Sequence, residues 1–255
     1  MKIVPKNPKS FHNVLNVIKS VNPEFYVIPK KNSVVFWTID PPRTMIYSAV
    51  LPKTAMLVYE VDKNELDKMK AYDVKYFNKA LRKVKPDTQL TIEQTGEGYT
   101  LIRVEKPFKI NARIPQYSTD IEEITLPELE LPAWLTGYGA IWLEIVETAK
   151  QFSDVVTIVA EKDGVKFVAE GDTSEVMAEL DIEHEWVSEY EVDEDAELPI
   201  KANYDLKRLS AVLKGITKST VVEAGLGTEM PLYLTWEDTD GFKHNYLLAP
   251  RVDNE

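Results

Sequence analysis

The sequence predicts an α+β fold of two topologically similar domains, each with helices on one face of antiparallel sheet. Three observations lead there. Val34-Val35-Phe36 recurs as Val165-Lys166-Phe167. The lead-ins, Val27-Ile28-Pro29-Lys30-Lys31-Asn32-Ser33 and Ile158-Val159-Ala160-Glu161-Lys162-Asp163-Gly164, correspond at an offset of about 131 residues. An amphipathic helix pattern precedes each copy, Phe11–Ser20 and Ile141–Phe152, so a whole helix–strand–turn–strand unit is repeated.

In chain order, Lys9–Ser20 sets Phe11, Val14, Leu15 and Ile18 at helical spacing and leaves His12, Asn13, Asn16 and Lys19 on the other side. From Glu24 the texture changes to short β-branched and aromatic runs, Phe25–Ile28, Val34–Ile39, Met45–Leu51 and Met56–Val61, separated by turn formers. These read as an antiparallel meander. A helix is expected over Val74–Val84, then strands at Thr88–Gln94, Tyr99–Val104 and Phe108–Ile114, with Gly96-Glu97-Gly98 as a hairpin turn. Gln116–Pro132 mixes Asp120, Glu122 and Glu123 with Ile121, Ile124, Leu126 and Leu129, and reads as a linker with apolar residues in need of cover. The expected division is therefore a first domain over 1–115, a connecting loop over 116–133 and a second domain over 134–255. The second domain repeats the order: helix 141–152, strands near 155–160, 165–170, 175–182 and 186–192, helix 204–214, and strands near 219–224, 231–237 and 243–248. Lys162-Asp163-Gly164 and Asp240-Gly241 mark hairpins.

Composition narrows the function. The chain has no cysteine, which excludes disulfides and thiolate metal sites. Its first residues, Met1-Lys2-Ile3-Val4-Pro5, lack the pattern of a secretory signal, and no apolar run is long enough to span a bilayer, so a cytoplasmic protein is expected. Enzyme signatures are weak. His12, His184 and His244 show no metal-ligand spacing and read as solvated structural residues. Gly225-Leu226-Gly227 lacks the third glycine and following helix of a phosphate cradle and reads as a hairpin turn. The acidic run Glu191–Glu197 leaves a metal-dependent nuclease or hydrolase as the rival from another class.

The net charge of −12 argues against nucleic acid until its distribution is considered. Acids concentrate in 120–130 and 183–197. Bases concentrate in Lys75, Lys79, Arg82, Lys83 and Lys85, and again in Lys207, Arg208, Lys214 and Lys218. Lys75, Lys79 and Arg82 recur at i, i+4 and i+7, opposite Phe77, Leu81 and Val84. The same helix is basic in both halves of an acidic chain, which points to phosphate contact. Apart from Tyr76 and the inward-facing Phe77, no aromatic residues interleave these bases, so duplex backbone contact is favoured over stacking on single strands.

Several motifs in order complete the picture: Glu161-Lys162-Asp163-Gly164-Val165-Lys166-Phe167 with Gly171, Met230-Pro231-Leu232-Tyr233-Leu234, Tyr246-Leu247-Leu248-Ala249-Pro250-Arg251-Val252, Asp40 after Val35-Phe36-Trp37, and Ile124-Thr125-Leu126-Pro127. In these, and over its whole length, the chain resembles the DNA sliding clamps of archaea and eukaryotes, the proliferating cell nuclear antigen (PCNA) family. The resemblance implies a non-enzymatic trimeric ring, without cofactor or metal, that encircles double-stranded DNA and tethers DNA polymerase, flap endonuclease, DNA ligase and the clamp loader. Lys19, Lys75, Lys79, Arg82, Lys83, Lys207 and Lys214 would face the duplex. Partner peptides would dock at Ile39, Arg43, Thr44, Ile46, Ile124, Leu126, Pro127, Pro231, Tyr233, Leu247, Leu248, Ala249 and Pro250. Subunits would pair Phe108–Ile114 with Glu175–Ile182, with Lys109 and Arg113 facing Glu175, Glu179 and Asp181. Glu144, Glu147 and Gln151 depart from the family's basic pattern. That departure leaves two arrangements open, a homotrimer or a heterotrimer with sister subunits.

Overall fold

Helix α1 (Pro8–Val21) shows how the apolar stripe is turned into structure. Asn7 caps it by accepting from the Lys9 N–H at 3.0 Å, and Pro8 occupies the first turn, where its missing N–H is no loss. Phe11, Val14, Leu15 and Ile18 are buried, and the Asn22 N–H closes the far end on the Ile18 carbonyl at 2.9 Å.

The computed structural model describes residues 1–85, 87–95, 98–105, 109–117, 127 and 129–251. The chain forms two units, one of Met1–Pro41, Tyr47–Leu126 and Asp238–His244, the other of Pro42–Ile46, Pro127–Glu237 and Asn245–Glu255.

The first half of the chain holds β1 (Lys2–Pro5), α1, β2 (Glu24–Pro29), β3 (Ser33–Ile39), β4 (Met45–Pro52), β5 (Met56–Glu60), β6 (Lys70–Asp73), α2 (Val74–Leu81), β7 (Leu90–Gln94), β8 (Tyr99–Val104) and β9 (Ile110–Pro115). Strands β4-β3-β2-β6 lie side by side, and β5-β1-β7-β8-β9 form a second sheet. This corrects the expected single meander. A 3₁₀ turn at Lys53–Ala55 carries the chain out of the first group, and β5 pairs instead with β1, Ile3 opposite Tyr59. The helices α1 and α2 pack on each other and on the sheets, α1 against β3 and α2 against β9. Phe11 meets Phe36 edge-on at 5.4 Å, and Phe25 meets Phe77 in the same way at 5.3 Å.

The second half repeats this with β10 (Ala133–Tyr138), α3 (Gly139–Ala149), β11 (Val155–Glu161), β12 (Gly164–Glu170), β13 (Glu175–Asp181), β14 (Val187–Val192), β15 (Ile200–Asp205), α4 (Leu206–Val212), β16 (Val221–Leu226), β17 (Leu232–Glu237) and β18 (Lys243–Leu248). The strand orders β13-β12-β11-β15 and β14-β10-β16-β17-β18 are those of the first half, element for element. Lys2 and Ala133, Pro8 and Gly139, and Glu24 and Val155 open equivalent elements, so the sequence repeat is a repeat of topology. Trp142 stands where Phe11 does and meets Phe167 at 5.8 Å, perpendicular. Helix α3 has no capping side chain. Its first amides, Gly139 and Ala140, donate instead to the carbonyls of Thr220 (2.6 Å) and Lys218 (3.1 Å). The Lys162-Asp163 hairpin joins β11 to β12, with Glu161 opposite Gly164.

Two further expectations change. His244, read as solvated, is buried, within 2.7 Å of the Tyr47 hydroxyl through Nδ1 and 3.6 Å from Asp238 through Nε2. Burial favours protonation of Asp238, but the nearby His244 imidazole and the Phe242 N–H, which donates to it at 2.9 Å, outweigh this and hold the carboxyl below its usual range. The turn of this hairpin grips the start of α1, because Asp240 accepts from Asn7 Nδ2 at 3.0 Å and from the Ser10 hydroxyl. Gly225 and Leu226 lie within β16 rather than in a turn, which begins at Gly227 with the Met230 N–H donating to its carbonyl at 3.2 Å. Gly96 and Glu97, expected in a turn, and Phe108 lie outside the described residues.

Gly171 marks a close approach that tests this packing. A Cβ there would sit 2.2 Å from the Phe152 carbonyl oxygen, main chain that cannot rotate away. Gly171→Ala is expected to destabilise the chain by about 1–3 kcal/mol, read as a lowered midpoint in chemical denaturation.

Candidate functional site

The charged faces follow from which residues the helices bury. In α2, Asp73 caps the helix by accepting from the Lys75 N–H at 2.8 Å, and Val74, Phe77, Ala80 and Leu81 turn inward. Lys75, Lys79, Arg82 and Lys83 are then left exposed. The helix stops at Leu81, short of the expected Val84. Arg82 is the cap, the Val84 N–H turns back to the Leu81 carbonyl, and Lys85 precedes a proline, which disfavours helical backbone. Lys75 is not a free cation. Its Nζ is 2.5 Å from Asp73 Oδ2 and lies 4.8 Å from the Tyr76 ring centre, and the hydrogen bond to Asp73 raises its pKa.

Helix α1 packs against α2 and adds Lys19, exposed on its outer side. His12 is half-buried, with Asn78 of α2 beside it. Burial lowers its pKa, with the Asn78 contact opposing.

The second helix pair is electrically mixed. Lys207 and Lys214 are exposed, and so are Glu144, Glu147 and Gln151 on and just after α3. Lys218 lies 2.8 Å from Glu144, which raises the lysine's pKa and offsets one of the unexpected acids. Arg208, grouped with these bases by sequence, points elsewhere: its Nη1 donates to Thr44 Oγ1 at 2.5 Å.

The residues expected to receive partner peptides divide by accessibility. In the second unit, Arg43 and Pro127 are exposed, and Thr44, Ile46, Pro231, Tyr233, Ala249 and Pro250 are half-buried. The Thr44 carbonyl accepts from the Ala249 N–H at 2.8 Å. Tyr233 donates to Asn245 Oδ1 at 2.7 Å and meets Trp134 edge-on at 6.0 Å. Gly225, between them in strand register, has no side chain to keep the two rings apart. Leu247 and Leu248, expected at this surface, are buried in the core, 5 % and 0 % exposed. Ile39 belongs to the first unit and packs half-buried against Tyr26, Ile28, Trp37 and Ala71. Ile124 and Leu126 lie outside the described residues.

Strands β9 and β13 end their sheets. Lys109 and Arg113 are exposed at and beside the first, and Glu175, Met177, Glu179 and Asp181 alternate outward along the second. Arg113 lies 5.0 Å from the Tyr99 ring centre, and Lys166 lies 3.7 Å from Glu179.

Among the described residues, no group of three or more His, Asp or Glu side chains could hold a metal ion, and no helix is long and apolar enough to cross a membrane. The acids of 189–197 are strung along β14 and the segment after it.

Residues 126–251 match the family described as proliferating cell nuclear antigen, C-terminal domain. The DNA polymerase sliding clamp of Thermococcus fumicolans is 31% identical over 216 residues, covering 85% of this chain and 84% of that one. This chain belongs to the sliding-clamp family. The fold agrees: PCNA from Thermococcus kodakaraensis superposes with a TM-score of 0.88 at 22% identity, over 98% of this chain and 99% of that one. PCNA from A. fulgidus, solved with the C-terminal region of FEN-1, does so with a TM-score of 0.87 at 18% identity, over 100% and 99%. Membership gives the helix cations, the open strand edges and the Thr44–Ala249 segment of this clamp a common frame.

His12 supplies a test of the helix pair. Its lowered folded pKa means that the unfolded chain takes up the proton first, so stability falls as the pH drops below about 6.5 towards the folded value. The melting temperature is expected to decline more steeply between about pH 7 and about pH 5.5 in the parent chain than in His12→Gln.

Proposed function

We propose that this chain is a DNA polymerase sliding clamp and processivity factor, a non-enzymatic ring that encircles duplex DNA on the chromosome. The observation that carries this reading is the exposed row Lys75, Lys79, Arg82 and Lys83, with Lys19 beside it, in a sliding-clamp relative whose net charge is −12. Cations that contact phosphates do so without choosing a sequence, which is what movement along DNA requires. Lys207 and Lys214 extend the contact, and the Lys218–Glu144 pair reduces the cost of acids on α3.

Ring closure is assigned to β9 of one copy against β13 of the next, a head-to-tail contact in which Lys109 and Arg113 face Glu175, Glu179 and Asp181. The opposite signs lie on one chain, which supports three identical copies over a heterotrimer. Exposed pairs of this kind contribute only about 0–1 kcal/mol each, so they set register more than strength. Replication and repair enzymes, among them DNA polymerase, flap endonuclease, DNA ligase and the clamp loader, are assigned to the Thr44–Ala249 segment. Main-chain groups and half-buried apolar residues there suit a short peptide with hydrophobic anchors.

Lys79→Ala combined with Arg82→Ala is expected to reduce polymerase stimulation on a primed circular template. It should also flatten the salt dependence of DNA binding by about 0.9 in log–log slope for each phosphate that is no longer neutralised. Undiminished stimulation would sink the encircling mechanism. Light scattering of the purified chain should give three times the monomer mass, and a stable monomer would instead indicate sister subunits.

A further inference from the structure

Arg208 sits in α4 between bases assigned to DNA, yet other elements hold it at its amide, carbonyl and side chain. Its N–H donates to Asp205 Oδ1 at 2.9 Å, its carbonyl accepts from the Tyr246 hydroxyl at 3.1 Å, and its guanidinium donates to Thr44 Oγ1 at 2.5 Å. The side chain is half-buried, whereas Lys207 and Lys214 are exposed.

Thr44 is the residue through which this matters. It follows Arg43, whose φ of 59° is left-handed, a conformation uncommon for a residue with a Cβ. The Thr44 carbonyl accepts from Ala249 at 2.8 Å. Two residues later the Arg251 N–H donates to the Asn203 carbonyl at 2.7 Å, in the strand that leads into α4. The segment 249–251 is thus tied at one end to Thr44 and at the other to β15, and Arg208 fastens Thr44 to the helix that follows β15. All of these residues belong to one unit.

We propose that Arg208 is a positioning residue for partner binding: by holding Thr44 it holds Ala249 and Pro250 in the arrangement that a docked peptide meets. The inference rests on the assignment of this segment to partner peptides. It removes Arg208 from the phosphate-contacting set to which its sequence neighbours belong. A guanidinium suits the task because it stays charged and keeps its donors at every pH the protein meets.

The test uses the full chain and, as probe, a synthetic peptide of the FEN-1 C-terminal region, with affinity read by fluorescence anisotropy. Arg208→Ala is expected to weaken peptide binding about tenfold, and Arg208→Lys, which keeps a cationic donor, to stay within about threefold of the parent chain. Thr44→Val, which removes the acceptor at constant shape, should weaken binding by a similar factor. The double variant should bind no more weakly than about the worse of the two single variants, because both changes break the same hydrogen bond. The Ala249 amide should exchange with deuterium faster in Arg208→Ala, and the salt slope of duplex binding should not move. If Arg208→Ala fails to fold, Thr44→Val and Arg208→Lys carry the comparison. Peptide affinity unchanged despite faster Ala249 exchange would overturn the positioning role alone, and a flattened DNA salt slope would return Arg208 to the phosphate set. A parent chain that does not bind the peptide would overturn the partner assignment and this inference with it.

Discussion

Each half of the molecule depends on one contact, the edge-on meeting of an aromatic ring from the first helix with the phenylalanine of the repeated strand. Phe11 and Phe36 make it at 5.4 Å, Trp142 and Phe167 at 5.8 Å. A ring edge against a ring face is directional, so the contact fixes the rotation of the helix about its own axis as well as its distance from the sheet. Once Phe11 points inward, helical geometry leaves no freedom for the rest of α1: Val14, Leu15 and Ile18 follow it into the core, and Asn13, Asn16 and Lys19 face out. The cationic surface is therefore a consequence of core packing rather than an independent feature.

Periodicity decides what is legible in the sequence. The apolar stripes of α1 and α2, the β-branched runs and the repeat itself all reappear in the structure because burial imposes them locally. Strands β1, β6, β10 and β15 give no such signal, since each runs straight into a helix or a short turn before one, and its alternation is cut off before it becomes a pattern. Their pairing is imposed by neighbours distant in sequence, as when β1 lies between β5 and β7. His244 reads as solvated for the same reason. The residues that bury it, Tyr47 and Asp238, include one almost two hundred positions away.

The charges are legible in number and sign but not in availability. Lys75 and Lys79 look equivalent on a helical wheel, yet Lys75 is engaged by its own cap residue, Asp73. Glu144 looks like an obstacle to DNA until Lys218 is found beside it. Arg208 looks like one more phosphate ligand until its guanidinium is found on Thr44. Each reversal comes from a tertiary contact that no local pattern encodes, and each changes what the surface offers a ligand more than it changes the fold.

The open strand edges have a consequence of orientation. Glu175, Glu179 and Asp181 all project from β13, while Lys109 and Arg113 mark the region of β9. Two β13 edges brought together would set carboxylates against carboxylates, and two β9 edges would set bases against bases, each an unfavourable match. Pairing of unlike edges escapes both penalties, because it sets the bases of one strand against the carboxylates of the other. Charge on two short strands thereby acts as a sorting rule, since it penalises like edges that meet and leaves unlike edges as the matched pair.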